Sequence, residues 1–179
     1  MLLVSLAGLS LAAWLYLIAF RGGFWSLAER ESDLAPADAS SPKGLRVTAI
    51  VPARDEAQVI DKSLSSLFAQ RFDGAFDVLL VDDQSGDGTA DVARACAERL
   101  GAADRLSVVA TSGLEPGWTG KLAAMNAGLA HVASRGALPD FVLFCDADIA
   151  FAPDVLDRLV AGACARDAVL VSLMARLRC

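Results

Sequence analysis

Short apolar runs alternate with amphipathic stretches along the chain from Arg46 onward. Each run is rich in β-branched or aromatic residues and is bounded by Pro, Gly or Asp, which is typical of the buried strands of a parallel sheet. The runs are VTAIV at 47–51, VLLV at 78–81, LSVV at 106–109, FVLF at 141–144 and VLVSL at 169–173. The pattern therefore predicts a strand at each of these runs.

The stretches between the runs have helical periodicity. Residues 59–68, 92–100 and 122–132 each place apolar side chains on one face, and Pro153 stands where a further helix could begin. Alternation of strands and helices specifies an α/β fold. We expect an open, mostly parallel, Rossmann-like sheet that is covered by helices on both faces.

The N-terminal segment differs from the rest of the chain because residues 1–20 carry no charge. A helix of about 20 residues is about 30 Å long, which matches the hydrocarbon core of a bilayer. A signal peptide normally has a basic residue before its apolar stretch, and no Lys or Arg precedes this segment. We expect a transmembrane helix over 1–21, with a signal peptide or a buried core helix as the alternatives. Arg21 and Arg30 favour a single N-terminal anchor in the cytoplasmic membrane, with the rest of the chain facing the cytoplasm.

The segment after this anchor lacks periodicity and is rich in Ala, Ser, Pro and charged residues over 29–44. This composition is typical of a tether. The expected organisation is a transmembrane helix over 1–21, a linker over 22–44 and one folded domain over 45–179.

The composition excludes some classes of protein. The chain has 16 basic and 22 acidic side chains, and the net charge of −6 argues against a nucleic-acid partner. The four cysteines form no CxxC pair, so the sequence indicates neither a disulfide framework nor a zinc site. We expect reduced thiols in the cytosol.

Acidic residues follow three of the predicted strands. The segments are ARDE after the first strand, DDQSGDGT after the second and DAD after the fourth. The carboxyl ends of parallel strands are where ligands bind in such a sheet. Carboxylates brought together at this edge repel one another, so the sequence predicts a crevice that requires a cation.

Asp146 and Asp148 flank Ala147 directly after a buried strand. Two carboxylates at this spacing can converge on one cation, and hard oxygen ligands suit Mg²⁺ or Mn²⁺. The alternative is a pair of capping residues in a polar loop, because DxD is common by chance.

The segment DDQSGDGT at 82–89 allows several interpretations. It matches the start of an EF-hand loop, but the twelfth position is Arg94 instead of Glu. As an ordinary β–α turn, it would use Gly88 to bend the chain and Thr89 to cap the next helix. As part of a binding site, Asp82 or Asp83 would accept hydrogen bonds from a base or a ribose. The two roles are compatible.

Lys121 lies at the predicted N-terminus of the third helix, in the segment GWTGK at 117–121. A cation is electrostatically unfavourable there, because this end of a helix is already partly positive. A bound phosphate would explain the position. The alternative is an exposed, solvated lysine.

Four segments together resemble family 2 glycosyltransferases with the GT-A fold. They are VPARDE at 51–56, VDDQSGDGT at 81–89, GKLAAMNAGL at 120–129 and CDADI at 145–149, and their order and spacing match the family. The resemblance covers roughly residues 45–175. The WTGK variant and the apolar N-terminus are most similar to the hopanoid- or hopene-associated members, and also to enzymes that glycosylate carotenoid-type lipids.

The resemblance implies a role for each matching residue. Asp83, or else Asp82, would contact the base, and Lys121 would approach the donor phosphates. Asp146 and Asp148 would form the DxD motif, which contacts the ribose and a divalent metal, Mg²⁺ or Mn²⁺. The nucleotide-sugar-binding residues implied by the family are Pro52, Asp55, Glu56, Asp82, Asp83, Lys121 and Asp146.

The resemblance also implies a reaction. A sugar would pass from a nucleotide-diphosphate donor, with a UDP-sugar as the first expectation, to a lipid-like hopanoid or polyisoprenoid acceptor at the membrane, with inversion of the anomeric carbon. The metal would neutralise charge on the departing diphosphate.

The family's catalytic base is expected beyond Cys179, so we expect the chain to be an N-terminal portion of a longer enzyme. Asp154, Asp157 and Asp167 are poor substitutes because they fall in or after the next predicted helix. The alternative is a nucleotide-sugar-binding module without catalysis. An aspartyl phosphatase is disfavoured, since its DxDx(T/V) pattern meets Ala150 here.

Overall fold

A computed structural model describes residues 2–20, 39–111, 113 and 117–173 of the chain. The chain divides into two units, one of residues 1–34 with 172–179 and one of residues 35–171. Most of the expected linker over 22–44 lies outside the described residues, as does Cys179. The expected domain boundaries stay predictions.

The first unit contains helix α1, which spans Leu2–Phe20. Large apolar side chains such as Val4, Trp14 and Phe20 are exposed along it. The expected transmembrane helix over 1–21 is not found: within the described ranges, no helix has both the length and the apolar character that crossing a bilayer requires.

The second unit is built on a parallel sheet. Its strands are β1 (Arg46–Ala53), β2 (Ala75–Asp82), β3 (Leu106–Ala110) and β4 (Phe141–Phe144). Their order is β3-β2-β1-β4, and every described pair of neighbouring strands is parallel. The expected parallel α/β fold is therefore confirmed.

Helices cover both faces of this sheet, as expected. They are α2 (Ile60–Phe68), α3 (Thr89–Arg99), α4 (Gly120–Ser134) and α5 (Val155–Arg166), with a short 3-10 helix at Ala103–Arg105. On one face, α2, α3 and α5 contribute Leu64, Ala93 and Leu156 to a core with alternate residues of β1 and β2. On the other face, α4 packs Ala124 and Val132 against these strands.

The strand expected at 169–173 is wrong, because this segment has no strand conformation. Val169 and Leu170 are exposed, and β4 pairs only with β1 within the described sheet. An apolar run becomes a strand only where a neighbouring strand receives its backbone hydrogen bonds.

Gly128 allows α4 to approach the sheet closely. A Cβ atom at this position would lie 2.6 Å from Cγ2 of Ile50 and 3.0 Å from Cγ2 of Val81. Such distances are far below ordinary contact, so only glycine fits without repacking. The close approach brings the N-terminus of α4, with Gly120 and Lys121, to the carboxyl ends of the strands.

Candidate active site

An open pocket of about 340 Å³ lies at the carboxyl ends of the central strands. Its lining comes from β1 and the loop after it, from the residue after β2, from the start of α4 and from the loop after β4. The lining residues are Pro52, Ala53, Arg54, Glu56, Asp83, Gly120, Lys121, Ala124, Asp146, Ala147 and Asp148. The location agrees with the general rule for parallel α/β sheets.

The loop after β1 is fastened to the loop after β2 around Asp55. The Asp55 backbone N–H donates to Oγ of Ser85 over 3.0 Å, and the Gly86 N–H donates to Oδ1 of Asp55 over 2.8 Å. Asp55 has a φ of 55°, in the left-handed region that non-glycine residues rarely adopt. The two hydrogen bonds hold the chain in this conformation. The carboxylate of Asp55 therefore joins the two loops and does not line the pocket.

Two further hydrogen bonds fasten the same loops. The N–H of Glu56 donates to Oγ1 of Thr89 over 2.9 Å, and the N–H of Ala57 donates to Oδ2 of Asp87 over 2.9 Å. Helix α3 begins at Thr89, its N-cap residue is Gly88 with a φ of 86°, and the N–H of Thr89 donates to Oδ1 of Asp87. The expected capping role of Thr89 is therefore wrong. Its hydroxyl fixes the backbone of Glu56, whose side chain lines the pocket.

The carboxylate of Asp87 accepts several of the hydrogen bonds at the junction of these loops. The hydroxyl and N–H of Thr89 and the N–H of Ala57 all donate to its carboxylate. The hydrogen bond from Thr89, followed by that from Ala57, lowers the pKa of Asp87 from its ordinary value of 3.8. The carboxylate form thus stabilises the paired loops.

Asp82 and Asp83 are consecutive but have different surroundings. Oδ1 of Asp82 accepts the N–H of Ser85 over 3.0 Å, within the loop. Asp83 is buried and lines the pocket, where its Oδ1 accepts the hydroxyl of Thr111 over 2.8 Å. NH1 of Arg54 lies 3.6 Å from Oδ2 of Asp83. Of the two carboxylates, that of Asp83 lines the pocket and that of Asp82 does not.

Gly120 is required by the position of Asp83. A Cβ atom on Gly120 would lie 2.8 Å from Oδ2 of Asp83, closer than an ordinary contact. The glycine therefore leaves space for the carboxylate beside the start of α4.

The acidic residues in the loop after β4 line the pocket beside Lys121. Nζ of Lys121 is 2.6 Å from Oδ1 of Asp146, and Asp148 also lines the cavity. Between the two acids, Ala147 is buried in the core and anchors the segment.

Burial, reinforced by the charge of Asp146, raises the pKa of the Cys145 thiol to about 12, so this side chain is neutral.

The charges of the pocket do not balance. Glu56, Asp83, Asp146 and Asp148 face only two cations, Arg54 and Lys121. An anionic diphosphate would bind poorly to this surface without additional positive charge. One divalent cation would neutralise this excess of two negative charges.

Asp146 and Asp148 suit a hard divalent cation by the chemistry of their oxygens. In the described part of the chain, no group of three or more His, Cys, Asp or Glu side chains could hold a metal ion. Two carboxylates leave most of the coordination sphere open, so the remaining ligands would have to be water and oxygens of a bound phosphate. The residues fit a metal that is shared with a ligand.

Of the residues expected from the sequence, six line the pocket: Pro52, Glu56, Asp83, Lys121, Asp146 and Asp148. Asp55 and Asp82 lie in the adjoining loops instead. Sequence reasoning missed Arg54, Thr111 and Gly120. Thr111 directly follows β3, and the position itself was the signal, since residues after parallel strands reach this edge.

Other carboxylates of the expected C-terminal region lie outside the pocket lining. Oδ1 of Asp157 accepts the N–H of Ser41 over 3.2 Å, and Oδ2 of Asp154 lies 3.5 Å from NH1 of Arg158. Asp167 ends helix α5 with a φ of 50°. None of the three is among the residues that line the pocket.

The model of the glycosyl transferase family 2 matches residues 48–178. Among solved structures, a mannosyltransferase from Pyrobaculum calidifontis, PcManGT, in complex with GDP-Man and Mn²⁺, is similar over 70% of this chain and 35% of its own, with 28% identity and a TM-score of 0.53. A mannosyl-3-phosphoglycerate synthase from Rubrobacter xylanophilus is 27% identical over 67% of this chain and 36% of its own, with a TM-score of 0.48.

S. aureus TarS in complex with UDP-GlcNAc is 28% identical over 58% of this chain and 27% of its own, with a TM-score of 0.43. The chain thus spans roughly a third of the length of these solved proteins. A comparison with curated protein sequences gives no match.

Proposed function

Since the chain belongs to glycosyl transferase family 2, we propose that its pocket binds a nucleoside-diphosphate sugar and that the protein transfers this sugar to a lipid-like acceptor. The observation that supports a donor-binding site most directly is the set of side chains that line the pocket. One open cavity combines the buried carboxylate of Asp83 with Lys121 and the acidic pair Asp146 and Asp148.

Each group has chemistry that suits one part of such a donor. The oxygens of Asp83 accept hydrogen bonds, which a base supplies through its ring or amino N–H groups. The ammonium of Lys121 suits the diphosphate, and the exposed carboxylates of Asp146 and Asp148 suit a cation beside it. When bound, a Mg²⁺ or Mn²⁺ ion would act as a Lewis acid and neutralise charge on the departing diphosphate.

The comparison with PcManGT leaves the nucleotide of the donor open. PcManGT was solved with GDP-Man and Mn²⁺, so a GDP-sugar is a candidate here beside the UDP-sugar expected from the sequence. The acceptor, a hopanoid or polyisoprenoid lipid, and the inversion of configuration rest on the sequence resemblance alone. The location at the cytoplasmic membrane rests on the uncharged segment 1–20 and on Arg21 and Arg30.

A binding module without transferase activity is the second candidate. The observation in its favour is that Asp154 and Asp157 are engaged with Arg158 and Ser41 and do not line the pocket. No carboxylate of α5 is thus presented to an acceptor hydroxyl. A donor site of this kind would still bind nucleotide and metal.

Calorimetry on the full chain tests the proposal. UDP, GDP, ADP and CMP are titrated separately, with and without Mn²⁺, and the Mn²⁺ series is repeated with EDTA. We expect one nucleoside diphosphate to bind only with Mn²⁺ and to be released by EDTA. Absence of binding by all four nucleotides would refute the donor site. Addition of the matching nucleotide sugar and a lipid extract then distinguishes a transferase, which releases nucleoside diphosphate, from a binding module.

A further inference from the structure

Lys121 and Asp146 form the closest ion pair across the pocket, with 2.6 Å between Nζ and Oδ1. The pair joins the first turn of α4 to the loop after β4. Both side chains remain accessible, with 58% and 51% of their surface exposed. The ammonium therefore occupies one oxygen of a carboxylate that also belongs to the proposed metal site.

The pair explains how a lysine is tolerated at the start of α4. The partial positive charge of a helix N-terminus disfavours a cation, and Thr119 does not cap this helix with its side chain. Asp146 supplies the compensating negative charge. Lys121 would lose this compensation if Asp146 turned to a metal ion, unless another anion took its place.

A divalent cation approaching Asp146 meets a weak site. Only Asp148 joins Asp146 among the carboxylates after β4, and the ammonium of Lys121 would repel a second cation a few ångströms away. A nucleoside diphosphate changes both conditions, because its phosphate oxygens can ligate the metal and can also receive Lys121.

On the basis of the proposed function, we propose that Lys121 is an exchangeable counter-ion. Without a donor it pairs with Asp146 and opposes binding of the metal alone. With a donor it moves to the diphosphate and leaves Asp146 to the metal. Metal and nucleotide therefore strengthen each other's binding, and by linkage the factor is the same in both directions. Lys121 sets part of that factor.

The exchange has a modest energetic scale. An ion pair between half-exposed side chains changes binding by a small factor, because water screens it and the flexible side chains lose freedom. The four-carbon side chain of lysine can be redirected by rotamer changes without moving α4. We expect effects of about two- to fivefold for each ligand, with opposite signs for the metal alone and for the nucleotide.

The test compares the full-length wild type with Lys121→Met. Binding of Mn²⁺ alone is measured from the electron paramagnetic resonance signal of free Mn²⁺, and binding of UDP and GDP is measured by calorimetry at saturating Mn²⁺. All titrations use one pH. Lys43→Met is the matched control, since it removes an exposed lysine whose Nζ lies 2.9 Å from Oδ2 of Asp73. Lys43 precedes β1 and Asp73 precedes β2, so this ion pair lies at the opposite end of the strands from the pocket.

The proposal expects Lys121→Met to bind Mn²⁺ alone about two- to fivefold more tightly and to bind the nucleotide more weakly. Lys43→Met should match the wild type in both titrations. Unchanged or weaker binding of Mn²⁺ alone by Lys121→Met would overturn the proposal, as would unchanged nucleotide binding, since Lys121 would then not transfer to the diphosphate.

Failure of the proposed function has a different signature. If the wild type binds no nucleotide with Mn²⁺, the donor site is wrong, whereas the Mn²⁺ titration still reports whether Lys121 competes for Asp146. Asp146→Asn provides a check on the assignment of the metal signal. It should weaken binding of Mn²⁺ and remove the gain that Lys121→Met produces; a gain that persists in the double variant contradicts the exchange.

Discussion

The hydroxyl of Thr111 donates a hydrogen bond of 2.8 Å to Oδ1 of Asp83. Thr111 directly follows β3 and Asp83 directly follows β2, so the bond joins the ends of neighbouring strands. The donor must be the hydroxyl, because an ionised carboxylate only accepts. The bond orients a buried carboxylate and leaves Oδ2 toward Arg54 and the pocket.

Replacement of Thr111 by Val should weaken nucleotide binding. Val keeps the shape of Thr but removes the hydrogen bond, so the orientation of Asp83 is lost at a cost of about 1 kcal/mol, or roughly fivefold in affinity. Calorimetry with Mn²⁺ measures the change. Thr111→Ser keeps the hydroxyl and should retain most of the affinity; an equal loss in both variants would show that Thr111 does not act through this hydrogen bond.

Gly120→Ala should separate stability from binding. The new Cβ would lie 2.8 Å from Oδ2 of Asp83 and displace that carboxylate, so we expect nucleotide affinity to fall by about tenfold, the equivalent of a clash of about 1 to 2 kcal/mol. The melting temperature should not fall in parallel, because Ala favours the helix. Unchanged affinity would mean that Asp83 is not used for binding.

Gly128→Ala should instead destabilise the whole domain. Its Cβ would lie 2.6 Å from Ile50 and 3.0 Å from Val81, and overpacking of a buried helix against a sheet costs about 1 to 3 kcal/mol. This exceeds the helix propensity gained from Ala, about 1 kcal/mol at most. Urea denaturation measures the free energy of unfolding. Asn126→Ala, an exposed site on the same helix, should leave it unchanged or raised, and an equally stable Gly128→Ala would contradict the packing described.

Stability should depend on pH through Asp87. Because its pKa is lowered from 3.8 in the folded chain, the carboxylate stabilises the fold above the unfolded-state pKa, and the stabilisation is lost as the pH falls through the folded-state pKa. Asp87→Asn should therefore melt at a lower temperature than the wild type at neutral pH. The difference should be constant near neutral pH and should shrink as the pH falls below the ordinary pKa of 3.8 and through the lower folded-state pKa. A difference that does not change with pH would show that the charge of Asp87 is unimportant.

The hydrophobic pattern predicted the sheet well because buried parallel strands leave a strong signal. The four confirmed runs have neighbours on which to pack, and their strands extend the runs by only a few residues. The run at 169–173 has the same composition and fails, because pairing depends on a partner strand and not on composition. The N-terminal run forms a helix, Leu2–Phe20. No helix of the described residues, this one included, meets the requirements of a membrane span.

The site was predictable to the level of loops but not of single side chains. Sequence reasoning identified both members of the pairs Asp55–Glu56 and Asp82–Asp83, and in each pair one residue lines the pocket while the other fastens a loop. The choice depends on which turn hydrogen bonds form, which adjacent carboxylates do not reveal. Lys121 was expected beside a phosphate, and the structure shows it paired with Asp146. That pairing joins residues distant in sequence and required the fold.

The central claim is that the acidic pair after β4 holds a metal that binds nucleotide. Asp148 tests it more cleanly than Asp146, since Asp146 also pairs with Lys121. The measurement is calorimetry of Asp148→Ala and the wild type with the preferred nucleoside diphosphate, with Mn²⁺ and with EDTA. Asp104→Ala, which changes an exposed acid in the 3-10 helix before β3, is the control. We predict that Asp148→Ala lowers Mn²⁺-dependent affinity at least about tenfold, the equivalent of losing one charged metal ligand, while Asp104→Ala matches the wild type. Nucleotide binding that is equal in Asp148→Ala and unaffected by EDTA would contradict the account.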